Sequence, residues 1–314
     1  MNLNGFINVK PMLDSPLLIE DLSPLPPNHV GLAVLGAPIK HSISPQIHSA
    51  ALREISSRTP SFLNWVYHKV EVKSEYLAFG LEQLKKCGYR GLNLTIPHKV
   101  NVFSMIDSID QEARTIGAVN TLLHTGEEWR GFNTDGYGLE QALKGGLGVN
   151  LESANILILG AGGAARAAAA QSLSRGCENL WISNRSTERL ENMIDALGNS
   201  LDISRVVACP ISKLPLDVLN CEDLVIINAT SLGLNSGDSS PVSLRAFSPS
   251  TRVYDMIYNP AETPLLEEAR ARGMACENGL SMLVHQAARS LEIWTGQQIS
   301  VEAMFSGARA ALKF

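Results

Sequence analysis

The feature that most constrains this chain is a join at residues 155–165, where an apolar run passes straight into a cluster of glycines. Asn155-Ile-Leu-Ile-Leu159 leads without a spacer into Gly160-Ala-Gly-Gly-Ala-Ala165, and an alanine-rich, helix-forming stretch continues to Ser174. A short apolar run stopped by glycine reads as a strand covered on both faces. The spacing G-x-G-x-x-A is that of a strand–turn–helix that holds a dinucleotide. Gly160 permits the tight turn, Gly162 lets the backbone approach a pyrophosphate, and the small Ala165 lets the helix lie close to the strand. The first N–H groups of that helix, at the positive end of its dipole, face the phosphates. Gly160, Ala161, Gly162, Gly163 and Ala164 are therefore candidate cofactor residues.

The next strand, Asn179–Ser183, refines the reading. An NAD site usually carries Asp or Glu about 20 residues after the glycines, on the ribose 2′-hydroxyl. Here the strand ends in Ser183-Asn184-Arg185-Ser186, with Arg189 one turn later; Glu178 precedes the strand and Glu188 lies in the following helix. A neutral residue followed by arginine suits a 2′-phosphate and points to NADP. A solvated loop arginine is the competing account of Arg185.

Strand and helix patterns alternate through most of the chain. Val30–Gly36, Trp65–Val72 and Arg90–Thr95 read as strands, with helices opened by Ser44-Pro45 and by Ser74. A second series comprises Asn155–Leu159, Asn179–Ser183, Arg205–Ala208, Asp223–Asn228 and Arg252–Met256, with helices at Ala164–Ser174 and Thr187–Leu197. Two further helices fill Leu280–Leu312. At 314 residues, two α/β units in series, each a mostly parallel sheet, is the expected architecture. Residues 1–29 hold five prolines and no sustained period, and read as an extended leader.

Composition narrows the function. Lys and Arg number 26 against 31 Asp and Glu, a net charge of −5, which leaves no broad cationic face for a nucleic acid. No apolar run approaches the roughly 18 residues of a bilayer span, and residues 1–29 do not read as a signal peptide. The five cysteines are scattered, with no C-x-x-C pair. That argues against the common thiolate metal frameworks and fits a reducing compartment, so the expectation is a cytoplasmic protein without a metal.

Four polar segments remain: His41-Ser-Ile-Ser-Pro45, Asn93-Leu-Thr-Ile-Pro-His-Lys99, Ala118-Val-Asn-Thr121 and Gly131-Phe-Asn-Thr-Asp-Gly136. Each follows a strand or begins a helix, at the carboxyl edge where open α/β sheets bind ligands. Taken singly, Ser44 reads as a helix cap, Asn93 and Asn120 as turn formers, and Lys99 as a solvated cation. Together with Gly160–Ala164, Asn184-Arg-Ser186, Asn228-Ala-Thr-Ser231 and Asn278-Gly-Leu-Ser-Met-Leu-Val-His-Gln286, they follow in a fixed order. In that order, from about Val30 to the C terminus, the chain resembles the shikimate dehydrogenase family.

The resemblance implies a set of roles. Ser42 and Ser44 would bind the carboxylate of shikimate, and Thr95, Asn120 and Gln286 its ring hydroxyls. Lys99 and Asp135 would form the catalytic pair, Tyr258 would contact substrate, and Met256 and Gly279 would lie near the nicotinamide. Asn184, Arg185, Ser186 and Arg189 would serve the adenosine end of NADP. It also implies a substrate-binding domain over residues 30–134, joined by helices 280–314, a Rossmann-type NADP-binding domain over 135–279, and an active-site cleft between them. The oligomer would be a monomer or a homodimer.

The residue chemistry agrees. Two hydroxyls at a helix N-terminus can hold a carboxylate without a cation, and Asn, Thr and Gln can both donate to and accept from a polyol. Hydride reduction of a ketone leaves an alkoxide that needs a proton donor within reach, a task for the Lys99 ammonium held by Asp135. His41, His98 and His285 read as packing or capping groups. Two other readings stay open: a quinate/shikimate dehydrogenase with relaxed substrate or NAD use, and a non-catalytic NADP-binding sensor.

Overall fold

The computed structural model describes residues 15–106 and 108–312; the first half of the proline-rich leader lies outside them. In chain order the strands are β1 Leu17–Leu18, β2 Val30–Gly36, β3 Trp65–Glu71, β4 Tyr89–Leu94, β5 Ser108–Ile109, β6 Thr121–His124, β7 Trp129–Phe132, β8 Asn155–Leu159, β9 Asn179–Asn184, β10 Val206–Pro210, β11 Leu224–Asn228, β12 Arg252–Asp255 and β13 Cys276–Asn278. The helices are α1 Ser44–Arg58, α2 Leu77–Lys86, α3 His98–Asn101, α4 Gln111–Ile116, α5 Asp135–Leu147, α6 Gly163–Ser174, α7 Thr187–Gly198, α8 Leu216–Leu219, α9 Pro264–Ala271, α10 Leu280–Thr295 and α11 Val301–Leu312.

The chain divides into two compact units. One takes in residues up to Asp110, Val119–Phe132 and the stretch from Ser290 onward; the other takes in Gln111–Ala118 and Asn133–Arg289. Helix α10 thus begins in the second unit and ends in the first.

The first unit is built on a seven-stranded sheet in the order β1-β3-β2-β4-β6-β7-β5. β2 runs parallel to both β3 and β4, whereas β6 is antiparallel to β4 and to β7. From Gly31 onward the residues of β2 are all buried, as a central strand with both faces covered requires. Trp294 of α10 packs on β4 at Gly91, where a Cβ would fall 2.6 Å from the indole; any larger residue would push the ring off. The indole N–H donates to the carbonyl of Leu122 at 2.9 Å.

The second unit holds a six-stranded, all-parallel sheet in the order β10-β9-β8-β11-β12-β13. Numbered from its own first strand this is 3-2-1-4-5-6, the doubly wound dinucleotide-binding order. Its core joins Ile156 and Ile158 of β8, Ala165, Ala168 and Ala169 of α6, and Val225 and Ile227 of β11. The alanine run lets α6 lie close on the sheet.

Several local readings are revised. Leu17–Leu18, read as part of an extended leader, pairs in parallel with Val70–Glu71, and the neighbouring Ile19 is buried. The helix expected from Ser74 opens as a 3-10 turn, Ser74–Tyr76, before α2 begins at Leu77. The β6–β7 hairpin and the edge strand β13 lie outside the expected strands.

Candidate active site

In the first unit the candidate substrate residues gather at the carboxyl ends of β2 and β4. Ser44 is the first residue of α1 rather than its N-cap; the cap position is Ile43, which supplies no side-chain bond. The oxygen meeting the first helical N–H belongs to Ser42, which accepts from the Ser44 backbone at 3.3 Å and donates to Ser44 Oγ at 3.1 Å. Thr95 follows β4: its backbone N–H donates to Leu35 and its carbonyl accepts from His98 N–H. Gly36, at the end of β2, must be glycine, since a Cβ there would lie 2.6 Å from Thr95 Cγ2.

Lys99 is half-buried in the single turn of α3. The preceding His98 is fully buried, and its Nε2–H donates to the Val72 carbonyl at 2.7 Å. Burial pushes its imidazole pKa down, so it anchors the turn as a neutral ring. The Lys99 carbonyl accepts from Val119 N–H at 2.8 Å, which ties α3 to the residue before Asn120.

Asn120 precedes β6 rather than following a strand. Because β6 runs antiparallel to β4, its first residue, Thr121, sits opposite Asn93 near the end of β4. The reversal carries Asn120 to the same sheet edge as Thr95. Asn93 itself, read from sequence as a turn former, is a buried residue within β4. Its Oδ1 accepts from the Tyr67 hydroxyl at 2.7 Å, and its Nδ2 donates to Asn120 O, Thr121 Oγ1 and Ser290 Oγ at 3.3, 3.2 and 3.0 Å. The Thr121 hydroxyl donates to Asn120 Oδ1 at 2.9 Å. His48 stacks on Tyr67 with ring centroids 4.1 Å apart, and its Nδ1–H donates to Ser44 O at 2.9 Å. Sequence reasoning singled out none of Tyr67, His48, Thr121 or Ser290 as site residues.

In the second unit, Asp135 is the first residue of α5 and is buried, at 5% exposure. Its backbone N–H donates to Asn133 Oδ1 at 2.9 Å, while Asn133 Nδ2 donates to the Ala118 carbonyl at 3.0 Å. The Thr134 hydroxyl donates to Gln286 Oε1 at 3.4 Å, and Gln286 Nε2 donates to Leu283 O at 3.0 Å. Gly138, a turn into α5, admits Gln286, whose Cβ would lie 2.8 Å from a Cβ placed there. Asp135 and Gln286 are thus brought together, and Lys99 belongs to the other unit. Tyr258 is half-buried, and burial pushes its phenol pKa up, so the hydroxyl stays a neutral donor.

The glycine turn has the geometry a dinucleotide requires. Gly160 has φ +118°, in the region that favours glycine, and a Cβ there would fall 2.8 Å from the Ala229 carbonyl. Gly162 is the N-cap of α6 and makes no side-chain cap bond; around it and Gly163 a Cβ would meet no protein atom within 4 Å. Ala161 and Ala164 flank them, both half-buried. This cradle of tight turn, open approach and helix N-terminus fits a pyrophosphate.

At the end of β9, Asn184 Nδ2 donates to Ser186 O at 3.0 Å, and Ser186 Oγ caps α7 by accepting from Arg189 N–H at 3.3 Å. Arg185 and Arg189 are exposed, and among the described residues neither is ion-paired. At the other flank Gly279 packs on the backbone of Met256. Beneath this turn lies a buried cluster missed from sequence. Asp255 accepts from Asn228 Nδ2 at 2.9 Å, Ile257 N–H at 3.0 Å and Thr263 Oγ at 2.7 Å. Burial raises the Asp255 pKa despite these donors.

Comparison with known proteins follows the same segments. The family described as the shikimate dehydrogenase substrate-binding domain matches residues 34–122, the shikimate/quinate 5-dehydrogenase family matches 142–234, and the shikimate 5′-dehydrogenase C-terminal domain matches 279–304. A curated relative from Geobacter metallireducens, named shikimate dehydrogenase (NADP(+)), is 38% identical over 286 residues, covering 90% of this chain and 96% of that protein. A shikimate dehydrogenase solved with NADP+ superposes with a TM-score of 0.82 at 34% identity, covering 91% of this chain and 96% of the other. The Thermus thermophilus enzyme, solved with NADP(H) and shikimate, gives 0.78 at 34% identity, with 90% and 99% covered.

Proposed function

The chain belongs to the shikimate dehydrogenase family, and from that premise we propose that it catalyses 3-dehydroshikimate + NADPH + H⁺ ⇌ shikimate + NADP⁺. The observation that carries this reading is the coincidence of two independent sites. One is a glycine cradle followed by a strand end, Asn184-Arg185-Ser186, that carries an arginine and no acid, with Arg189 one turn later. The other is a hydroxyl- and amide-rich edge on the first unit that suits an uncharged polyol ring bearing one carboxylate.

NADPH supplies the hydride when bound. Gly160–Ala164 would hold its pyrophosphate, and Arg185 and Arg189 its 2′-phosphate, with Asn184 and Ser186 alongside. Met256 and Gly279 would border the nicotinamide. Ser42 and Ser44 take the substrate carboxylate, while Thr95, Asn120, Tyr258 and Gln286 take its hydroxyls. Lys99 Nζ gives a proton to the oxygen that becomes an alcohol and recovers one from water, with the Asp135 carboxylate as its counter-charge. Residues 30–134 with 280–314 handle substrate, and 135–279 handle the cofactor.

The test is a set of progress curves with shikimate and quinate, each with NADP⁺ and NAD⁺. Shikimate with NADP⁺ should give the highest kcat/KM, and Lys99→Ala should lower kcat by about 10²–10⁴-fold with a smaller change in KM. A wild type that forms no NADPH from shikimate overturns the proposal. Equal turnover of quinate would instead favour the broader activity carried in the shikimate/quinate family description.

A further inference from the structure

Asp255 is fully buried, yet no lysine or arginine among the described residues pairs with it. A carboxylate taken out of water without a cation is costly, and an apolar side chain would close the strand end without that cost. Packing of the sheet therefore does not account for an acid at this position.

Its hydrogen bonds show what it joins. Asn228 and Asp255 are the last residues of β11 and β12 and stand opposite each other in register. Beyond them the chain enters two loops, one from Ala229 and one from Met256. The orientation of the Asn228 amide is fixed by the backbone: Thr230 N–H can only donate, so the atom 3.0 Å from it is Asn228 Oδ1. The Thr230 hydroxyl donates to the same oxygen at 2.7 Å and accepts from Leu232 N–H at 3.1 Å, which closes the first loop on itself. Asn228 Nδ2 consequently faces Asp255 and donates to its Oδ1 at 2.9 Å. That Oδ1 also accepts from Ile257 N–H, in the second loop, at 3.0 Å. One carboxylate oxygen thus receives both loops. The other receives the Thr263 hydroxyl, at 2.7 Å, which caps α9.

Each loop abuts a candidate cofactor residue. The Ala229 carbonyl is the atom against which the Gly160 turn packs, and Gly279 packs on the Met256 backbone. The Ile257 carbonyl accepts from Gly279 N–H at 3.0 Å. We propose that Asp255 is a positioning residue for the cofactor, whose carboxylate sets the loop that backs the pyrophosphate turn and the loop that borders the nicotinamide at one fixed spacing. The inference rests on the cofactor reading given above. It makes the fit of the two distant ends of one dinucleotide depend on a group that touches neither.

The experiment compares Asp255→Leu, Asp255→Asn and Thr263→Val by calorimetric titration with NADP⁺, by kcat, and by the inhibition constant of 2′-AMP, which carries the 2′-phosphate end alone. Asp255→Leu leaves two buried donors of the loops unpaired, so its NADP⁺ Kd should rise about 5- to 100-fold. Its kcat should fall at least about tenfold as the nicotinamide border shifts. Binding of 2′-AMP should stay within about twofold of wild type, because residues 184–189 are not held by this network. In Asp255→Asn the side-chain oxygen still accepts from Asn228 and Ile257, and the amide meets a hydroxyl that can accept, so NADP⁺ Kd should stay within about threefold of wild type. Thr263→Val removes the bond that leads away from both loops, and should lower Tm with NADP⁺ Kd within about threefold of wild type.

Three results overturn the proposal: an Asp255→Leu protein that binds NADP⁺ normally, one that loses 2′-AMP as severely as NADP⁺, or an Asp255→Asn protein as impaired as the leucine variant. If Asp255→Leu does not fold, Asn228→Ser shortens the arm from Asp255 to the first loop. It should weaken NADP⁺ and spare 2′-AMP, and unchanged NADP⁺ binding refutes the link. Wild-type titration with NADP⁺ comes first. Its failure removes the cofactor reading, whereas binding with indifferent variants removes only the role of Asp255.

Discussion

Replacing Gly279 with alanine would put a methyl carbon onto the Met256 carbonyl, 2.5 Å from its carbon and 3.0 Å from its Cα. Carbon atoms rest about 3.5–4.0 Å apart, so the two segments would have to separate by about 1 Å. Neither is free to do so. Gly279 N–H donates to Ile257 O at 3.0 Å, and β12 pairs with β13 up to Asp255 and Asn278. Asn278 is itself bonded to Ala261 O and to Leu280 N–H. Overpacking of this kind costs about 1–3 kcal/mol, and the stretched backbone bond adds about 0.5–1.5 kcal/mol. A total of about 2–4 kcal/mol should lower Tm by about 5–15 °C for a unit of this size. NADP⁺ KM should rise as well, because the displaced turn is the one proposed to border the nicotinamide. Scanning calorimetry and initial-rate kinetics measure both. Gly145→Ala is the control: it is exposed in α5, a Cβ there meets nothing within 4 Å, and it should stabilise by about 0.5–1 kcal/mol. A Gly279→Ala protein melting within about 2 °C of wild type, a shift worth under about 1 kcal/mol, would refute the steric argument.

Arg185→Ala should raise KM for NADP⁺ at least about tenfold and change KM for NAD⁺ little, since a charge-assisted bond at an exposed site is worth about 1.5 kcal/mol; equal damage to both cofactors in initial-rate assays would refute this reading of the loop. Glu277 has a buried Oε2 with no hydrogen-bond partner among the described residues, and burial raises its pKa above that of the unfolded chain. The folded state therefore binds its proton more tightly, and stability falls as pH rises through the ordinary carboxyl range into neutrality. Glu277→Gln should gain on the order of 1 kcal/mol at pH 8 and nothing near pH 4; a urea-unfolding difference that does not change with pH would contradict it.

Sequence reading succeeded where the governing interactions are local. The Gly160 turn was legible because the strand, the turn and the helix that exploit it are contiguous, and both its positive φ and its close approach to Ala229 demand glycine. Ser44 was misplaced by one position because a proline fixes where a helix starts only to within a residue. Asn93 was unreadable for a different reason. Alone it favours turns, and its place within a strand depends on Tyr67, Thr121 and Ser290, which lie 26, 28 and 197 residues away. Asp255 likewise needs Thr263 and Asn228 before it can be buried. The β6–β7 hairpin escaped because Thr121–His124 and Trp129–Phe132 lack the unbroken apolar run that marks β8 and β11.

The route of α10 also sets an order of events at the ribosome. The second unit is complete once Arg289 has been made, and most of it is one continuous stretch from Asn133. The first unit waits longer. Its β4 is covered by Trp294, its Asn93 is bonded by Ser290, and α11 packs on α1 where Gly307 meets the Gln46 carbonyl. Chains usually fold from the N terminus as they emerge. Here the unit synthesised first holds an unfinished core until α10 and α11 have been made, and the nascent chain carries that exposed apolar surface while residues 133–289 are translated.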